Sequence, residues 1–241
     1  MYKLQANSYK LVILLHKGRY KLFWDFCCVI CFIYFKLLHR LKVEGKENVL
    51  LKGRVIFAAN HQSYLDVSAV GVATYPRKIS FMAKEELFHK FWLRPILKAL
   101  YGFPVKKEAV DKKAYKTALA ILGQEQALGL FPEGTRHRPI PRPTDCQGLE
   151  RFGQLYHGVA LLALRSGAPI IPIAISGTEK VLPDDKRIPR LAKITIKFGQ
   201  AIEVSKKENR IERQELEELT GQVMARIGKL LEEVENEGKG S

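Results

Sequence analysis

Short apolar runs alternate with longer amphipathic segments along most of this chain beyond residue 50. The runs are rich in β-branched and aromatic side chains, which is typical of strands buried on both faces. We predict strands over 54–59, 78–84, 101–105, 127–131, 169–175 and 193–198. Apolar positions three and four residues apart predict helices over 67–75, 85–100, 110–122, 153–165 and 211–234. This alternation predicts an α/β fold with a largely parallel central sheet flanked by helices.

Glycine and proline add local expectations to this pattern. Gly123 is expected to end the helix over 110–122, and Pro95 is a possible kink in the helix over 85–100. Pro169 and Pro172 lie in the strand over 169–175, where they indicate an edge strand or an irregular ladder. The segment 137–147 is rich in proline and polar residues, which predicts a loop or flap.

The N-terminal region has a different pattern, in which apolar runs are interrupted by basic residues. Its densest part, Phe26–Phe35, is uncharged but shorter than the roughly 20 residues that a spanning helix needs. No small-residue cleavage site follows, so a secretory signal is not indicated. We predict one or two helices lying in, or dipping into, one leaflet, with residues 1–50 as a membrane anchor and 51–241 as the α/β domain. The alternative is an ordinary buried helix of the core.

Charge narrows the range of partners. The chain has 241 residues and a formal net charge of +15, which favours anionic partners such as phospholipid surfaces, phosphorylated substrates or nucleic acid. Residues 1–54 contain eleven basic and three acidic side chains, whereas residues 201–241 contain seven and ten. Three of the four cysteines lie between residues 27 and 31, which is no disulfide framework and favours a reducing compartment. Because no second ligand pair accompanies Cys28 and Cys31, we do not predict a zinc site.

The stretch Asn60–Asp66 contains the first candidate chemistry. His61 follows the predicted strand over 54–59, and Asp66 precedes the next predicted helix. On a continuous helix their side chains would lie about 140° apart, but across a strand-to-helix turn they can meet. A carboxylate on one imidazole nitrogen leaves the other nitrogen free as a base. The alternative is that His61 is a plain turn residue and Asp66 a plain helix cap.

The stretch Phe131–Arg136 contains the second candidate site, directly after the strand over 127–131. It is not a nucleotide-binding loop, since Thr135 stands where the essential lysine would be. The turn presents a carboxylate, Glu133, and a guanidinium, Arg136. Arg136 is suited to a bidentate pair with a phosphate, and Glu133 to orienting it or holding a substrate hydroxyl. The alternative is an ion pair between Glu133 and Arg136 without a ligand.

Together these stretches resemble the glycerolipid acyltransferase family, and most closely its PlsC-type 1-acyl-sn-glycerol-3-phosphate acyltransferases. Four blocks match, over about half of the chain: Asn60 and His61 with Asp66, Gly102–Lys107, Phe131–Arg136, and Ala168–Ile173. The second block ends in lysine where the family more often has arginine. The segment 137–147 is longer than expected between the third and fourth blocks, which leaves the shape of the acceptor pocket open.

The resemblance implies a reaction and roles for its residues. His61 would deprotonate the sn-2 hydroxyl of lysophosphatidic acid, and Asp66 would orient the imidazole. The hydroxyl would attack the thioester of acyl-CoA or acyl-acyl carrier protein and form phosphatidic acid. Glu133, Arg136 and Lys106, with Gly134 and Thr135 of the same turn, would bind the acceptor. Tyr64, Gly134 and backbone amides near the turns are weaker candidates for stabilising the oxyanion.

The resemblance also implies a setting for the enzyme. No metal or redox cofactor is expected. The expected partners are the lipid acceptor, the acyl donor and an anionic phospholipid membrane, and no nucleic acid. The expected location is the cytoplasmic face of the inner membrane, in a monotopic arrangement.

Other functions remain open from the sequence alone. A related lysophospholipid or glycerol-3-phosphate acyltransferase would share the same blocks. A membrane-bound thioesterase or phospholipid hydrolase is disfavoured because the Gly-x-Ser-x-Gly elbow is missing. A basic nucleic-acid-binding module would explain the charge, but basic and aromatic residues are not interleaved in a recognisable motif.

Overall fold

The computed structural model describes residues 21–91, 93–106, 111–134, 152, 155–183 and 188–239. The expectations for residues 1–20 and for the segment 137–147 fall outside these residues. The helices are α1 (Lys21–His39), α2 (Asp66–Ala73), α3 (Glu85–His89), α4 (Leu93–Ala99), α5 (Lys112–Gly123), α6 (Gly158–Ser166), α7 (Thr178–Val181) and α8 (Arg213–Lys239). The strands are β1 (Lys42–Glu44), β2 (Val55–Ala59), β3 (Ile79–Lys84), β4 (Phe103–Val105), β5 (Ala127–Leu130), β6 (Ile170–Ser176) and β7 (Thr195–Phe198).

The strands form one seven-stranded sheet in the order β1-β7-β6-β2-β5-β3-β4. Strands β2 to β6 are mutually parallel, whereas β7 is antiparallel to β6 and β1 is parallel to β7. The predicted α/β fold with a largely parallel sheet is therefore confirmed. The carboxyl ends of these five parallel strands meet at one edge, and β2 is the middle strand of the whole sheet.

Both faces of the sheet are covered, and β2 shows how. Ile56 and Ala58 point into a core formed with α5, α6 and α8. Val55, Phe57 and Ala59 point into a second core, to which α1 and α2 contribute. Alternate side chains of one strand thus enter two cores, which explains why the sequence of β2 is apolar throughout instead of alternating.

The prolines in 169–175 indicated an edge strand or an irregular ladder, and the edge alternative is wrong. Strand β6 lies between β2 and β7. The carbonyl of Pro172 accepts from the amide of Gly199, just beyond the end of β7. The nitrogen and the carbonyl of a strand residue face the same neighbouring strand. The Pro172 nitrogen, which has no hydrogen to donate, therefore faces β7 at a point where that strand has already ended. An interior strand therefore tolerates this proline.

The helix predicted over 85–100 is two helices, α3 and α4, and Pro95 is not where they separate. The break follows His89, and Pro95 lies in the first turn of α4. A proline in a first turn removes a donor that has no partner within the helix, so it is tolerated there.

Helix α1 packs along the domain through one of its faces. The ring of Trp24 stacks on Tyr75 at 5.6 Å and meets the edge of Tyr101 at 6.3 Å. The Lys78 ammonium lies 5.6 Å from the Trp24 ring centroid and donates to the Tyr101 hydroxyl at 2.8 Å. Phe35, near the other end of α1, is buried in the core beside α2. The helix is thus attached near both of its ends.

Strand β1 was missed by the sequence analysis because its three residues, Lys42–Glu44, are not an apolar run. The strand pairs with β7 at the edge of the sheet. The structural transition from α1 to the sheet therefore lies near residue 40. The functional division into an anchor over 1–50 and an enzyme over 51–241 stays a prediction.

The side chain of Asn60 joins β2 to β6 beyond the end of the backbone ladder. Its Nδ2 donates to the Ile175 carbonyl at 2.9 Å, and its Oδ1 accepts from the Ile175 amide at 2.8 Å. Asn60 is buried, so water cannot bond to its side-chain amide. The two bonds to Ile175 satisfy that amide instead.

We expect Asn60→Asp to lower the free energy of unfolding by about 1–3 kcal/mol, because a carboxylate oxygen would then face the Ile175 carbonyl without a proton to donate. Such a loss lowers the melting temperature by about 2–4 °C for each kcal/mol, measured by circular dichroism. The control is Asn209→Asp, at an exposed position. Equal melting temperatures for the two variants would contradict the bridging role of Asn60.

Candidate active site

Three neighbouring strands end at the same place on the carboxyl edge of the sheet. His61 follows β2, Glu133 follows β5, and Thr178 follows β6. Since β5 and β6 both pair with β2, the side chains of these three segments converge around the end of the central strand. Strand ends of this kind are the usual ligand sites of open α/β sheets.

His61 and Asp66 meet across the turn between β2 and α2. The His61 Nδ1 lies 2.9 Å from the Asp66 Oδ2. The Asp66 side chain is fully buried, whereas the His61 side chain remains 16% exposed. The alternative of a plain helix cap does not describe Asp66, because its carboxylate turns back toward the preceding loop. With Nδ1–H donating to the carboxylate, Nε2 is the nitrogen left to act as a base.

The Asp66 carboxylate is held by donors from two parts of the chain. Besides the His61 ring, its Oδ2 accepts from the amides of Gln62 and Ser63, both at 2.8 Å. Its Oδ1 accepts from the Thr178 hydroxyl at 2.6 Å. Four donors compensate a carboxylate that has lost its water, and they fix its orientation toward His61.

The Glu133 side chain contacts the backbone of the same loop. Its Oε1 accepts from the His61 amide at 2.9 Å, and the residue is only 3% exposed. The contact ties the turn after β5 to the start of the loop after β2. The roles predicted for Glu133 were to orient Arg136 or to hold a substrate hydroxyl. The bond to the His61 amide was not predicted. Its substrate-binding role stays a prediction.

Gly134 shapes the turn that presents Glu133. Its amide donates to the Phe131 carbonyl at 2.8 Å, and its φ is +66°. An added Cβ would lie 2.7 Å from the Tyr156 ring, so glycine is required here for both conformation and space. The Gly134 amide is engaged in the turn, and its substrate-binding role stays a prediction.

The imidazole ring rests on a stack of aromatic side chains. His61 stacks on Phe131 with centroids 4.0 Å apart, and Phe131 stacks on Phe81 at 5.9 Å. A Cβ at Gly129 would lie 2.1 Å from the Phe81 ring, so the absence of a side chain there makes room for the stack. The stack restricts the ring plane of His61, while Asp66 restricts its rotation.

The remaining predicted site residues lie farther away or outside the described part of the chain. Lys106 follows β4, three strands from β2, which is about 14 Å at the usual strand spacing. It is exposed, and its Nζ lies 3.7 Å from Glu85. Tyr64 lies close in sequence to His61 and is 68% exposed. Thr135 and Arg136 lie outside the described residues, so their roles stay predictions.

Thr178 is the site residue that sequence reasoning missed. Thr178 lies two residues after Ser176, the last residue of β6. A hydroxyl just beyond a strand end was the available signal. Within the described residues, no group of three or more His, Cys, Asp or Glu side chains is placed to hold a metal ion. The expectation that no metal or redox cofactor is needed stays a prediction.

Comparison with known proteins places this geometry in a family. The model of the family described as Acyltransferase matches residues 40–176. A 1-acyl-sn-glycerol-3-phosphate acyltransferase of Bacillus subtilis is 29% identical over 178 residues, which cover 73% of this chain and 72% of that protein. A protein of the same name from Streptococcus pneumoniae is 27% identical, covering 62% of this chain and 50% of that protein.

A solved structure has the same fold. The crystal structure of the 1-acyl-sn-glycerophosphate acyltransferase PlsC from Thermotoga maritima superposes with a TM-score of 0.67 at 22% identity, covering 96% of this chain and 98% of that chain. The matched family region contains His61, Asp66 and Glu133 and ends at Ser176, the last residue of β6. Because this region is more than half of the chain, the protein belongs to the acyltransferase family.

Proposed function

We propose that this protein transfers an acyl group from a thioester donor to the sn-2 hydroxyl of 1-acyl-glycerol 3-phosphate and so forms phosphatidic acid. The observation that carries the proposal is the 2.9 Å contact between His61 Nδ1 and the buried Asp66 carboxylate. The names of the Bacillus subtilis and Streptococcus pneumoniae relatives support this acceptor. Acyl-CoA and acyl-acyl carrier protein are the two donor classes that we propose.

The proposed reaction needs one base and no covalent enzyme intermediate. His61 Nε2 takes the proton of the acceptor hydroxyl as its oxygen attacks the thioester carbonyl carbon. Asp66 stabilises the imidazolium that forms. The tetrahedral intermediate collapses to the ester and breaks the carbon–sulfur bond. The leaving sulfur takes the proton from the imidazolium and departs as a thiol, which returns His61 to its starting state.

A hydrolase would use the same base on water. The described residues around His61 include no serine or cysteine that the structure shows bonded to its ring, so the acceptor's own hydroxyl is the proposed nucleophile. Product analysis with and without lysophosphatidic acid separates the two reactions. Thiol release that does not depend on the lipid acceptor would identify a thioesterase instead.

We also propose that α1 lies in one leaflet without crossing the bilayer. By length and composition alone, the helix over Leu22–His39 could cross a membrane. The prediction that it is too short to span therefore does not exclude a crossing arrangement. Packing supplies a better one. Trp24 and Phe35 bind α1 to the domain near both ends, so a crossing helix would draw the charged domain into hydrocarbon.

The outward side of α1 is apolar along its length. The exposed large apolar side chains on this helix are Leu22, Phe23, Phe26, Val29, Ile30, Phe32, Ile33, Leu37 and Leu38. An apolar helix face beside a basic domain is suited to the boundary between headgroups and acyl chains. At that depth His61 can reach the acceptor hydroxyl without extracting an acyl chain, each exposed methylene of which costs about 0.8 kcal/mol.

We expect His61→Ala to abolish acyl transfer, because the base is removed while the fold is kept. Transfer is measured as thiol release from acyl-CoA that depends on lysophosphatidic acid. The matched control is His89→Ala, an exposed histidine at the end of α3, which should retain wild-type activity. More than about a tenth of the wild-type rate in His61→Ala would show that His61 is not the general base.

We expect Asp66→Asn to reduce turnover by about 10²–10⁴-fold, since the amide can present the wrong partner to Nδ1 and carries no charge to support the imidazolium. The measurement is the turnover number at saturating donor and acceptor. Near wild-type turnover in a folded Asp66→Asn protein would leave Asp66 with a purely structural role.

Thr178→Val is expected to lower turnover roughly tenfold, because it leaves a buried carboxylate oxygen of Asp66 without a donor. The Michaelis constants for both substrates should change little, since Thr178 acts through Asp66. Thr178→Ser keeps the hydroxyl and should restore most of the rate. A variant that raises the Michaelis constant of one substrate while turnover is unchanged would place Thr178 in a binding site instead.

Arg136→Ala is expected to raise the apparent Michaelis constant for lysophosphatidic acid about tenfold or more, as the loss of a charge-assisted contact to its phosphate would cause. Lys106→Ala should have a smaller effect, because Lys106 is exposed three strands from β2. Steady-state kinetics with acceptor and donor varied separately make the comparison. An increase confined to the Michaelis constant for the donor would assign these cations to the CoA or carrier-protein phosphate.

The structure changes how the anchor should be tested. Removing residues 1–45 would delete β1 as well as Phe35 of the core, so point substitutions are the cleaner probe. Phe26→Glu with Ile30→Glu on the exposed side of α1 should weaken vesicle binding while the fold remains. Cysteine labelling that finds Tyr2 and Lys46 on opposite sides of the membrane would rule out the in-plane arrangement.

A further inference from the structure

The segment Ile188–Lys193, just before β7, exposes apolar and basic side chains together. Ile188 is 79% exposed and Leu191 is 78% exposed. Arg190 and Lys193 are exposed between and beside them. Two aliphatic side chains that are more than three-quarters exposed contribute little to the core. Their alternation with cations is typical of segments at a lipid surface.

Backbone hydrogen bonds fix where this segment lies. The Arg190 amide donates to the Val181 carbonyl at 2.7 Å, at the end of α7. The Ile194 amide donates to the His39 carbonyl at 2.9 Å, at the end of α1. Because β7 is antiparallel to β6, the segment before β7 lies at the carboxyl edge of the sheet. The segment therefore joins the end of α1 to the helix that contains Thr178.

The exposed apolar surface of α1 reaches this point. Leu37 is 73% exposed and Leu38 is 49% exposed in the last turns of the helix. Because the Ile194 amide is bonded to the His39 carbonyl, the segment that contains Ile188 and Leu191 meets the end of this apolar helix. Arg190 and Lys193 are exposed cations of the same segment, which complement anionic headgroups.

We propose that Ile188–Lys193 is a second membrane contact, with Ile188 and Leu191 inserted in the leaflet that holds α1 and with Arg190 and Lys193 on lipid phosphates. This inference rests on the proposed function, in which the acceptor lies in that leaflet. A single in-plane helix leaves the domain free to rotate about the helix axis. A second contact away from that axis restrains the rotation and keeps the partly exposed His61 side chain toward the headgroups.

The first experiment compares the double variant Ile188→Glu with Leu191→Glu and the wild-type full chain. Vesicles of phosphatidylcholine and phosphatidylglycerol are used in flotation assays without substrates. The matched control is Leu51→Glu, which is 57% exposed but precedes β2 at the opposite edge of the sheet. We expect the double variant to bind vesicles about tenfold more weakly, as partial loss of apolar contact predicts, and the control to bind within about twofold of wild type.

The second experiment separates orientation from chemistry by changing how the acceptor is presented. With long-chain lysophosphatidic acid in vesicles, the double variant should show an apparent Michaelis constant raised about tenfold. With a short-chain acceptor dissolved in water, its kinetics should match wild type, because no membrane has to be approached. Arg190→Gln with Lys193→Gln should weaken binding to anionic vesicles only, and added salt should reduce the difference.

Three results would overturn the proposal. Vesicle binding equal to wild type in the double variant would remove the membrane contact. An equal loss on the soluble acceptor would mean that the segment shapes the catalytic site. A raised Michaelis constant for acyl-acyl carrier protein with unchanged vesicle binding would make the segment a docking face for that acidic partner. Failure of the wild-type protein to acylate lysophosphatidic acid in either form would instead contradict the proposed function. The flotation result would still decide the membrane contact, because flotation requires no turnover.

Discussion

The buried carboxylate of Asp66 is the interaction on which the candidate site depends. A charge removed from water must be compensated locally, and four donors do so here. Two of them are amides of the loop after β2, one is the His61 ring, and one is the Thr178 hydroxyl beyond β6. The requirement to satisfy this single group therefore determines the path of the loop, the orientation of the imidazole and the position of α7.

The rest of the site supports the same imidazole from other directions. The aromatic stack of His61, Phe131 and Phe81 restricts the ring from one side, and its packing requires the glycine at position 129. Glu133 holds the backbone of His61 through its amide. Strands β3 and β5 thereby help to position the residue that follows β2, so the rigid sheet holds the proposed base in place.

The packing of α1 against the domain fixes where its apolar surface lies relative to the candidate site. The helix passes along the layer that contains α2, and its end is bonded to the segment before β7 at the catalytic edge. The apolar outer surface of α1 and the partly exposed His61 side chain are therefore held in one arrangement. In the proposed function, this arrangement would let a soluble donor and a lipid acceptor meet at the boundary between water and hydrocarbon.

The sequence by itself determined the fold class and most strand positions, because apolar periodicity is a local property. From the residues alone the pairing of His61 with Asp66 stayed open, and the resemblance to the acyltransferase family favoured it. Whether β6 is an edge strand also stayed open, since whether Pro172 lacks a needed donor depends on where β7 ends. The sequence did not predict β1, which is a short edge strand, or the contact of Thr178 with Asp66. These features were decided by tertiary structure alone, because hydrogen bonds between segments that are distant in sequence leave no periodic trace in the chain.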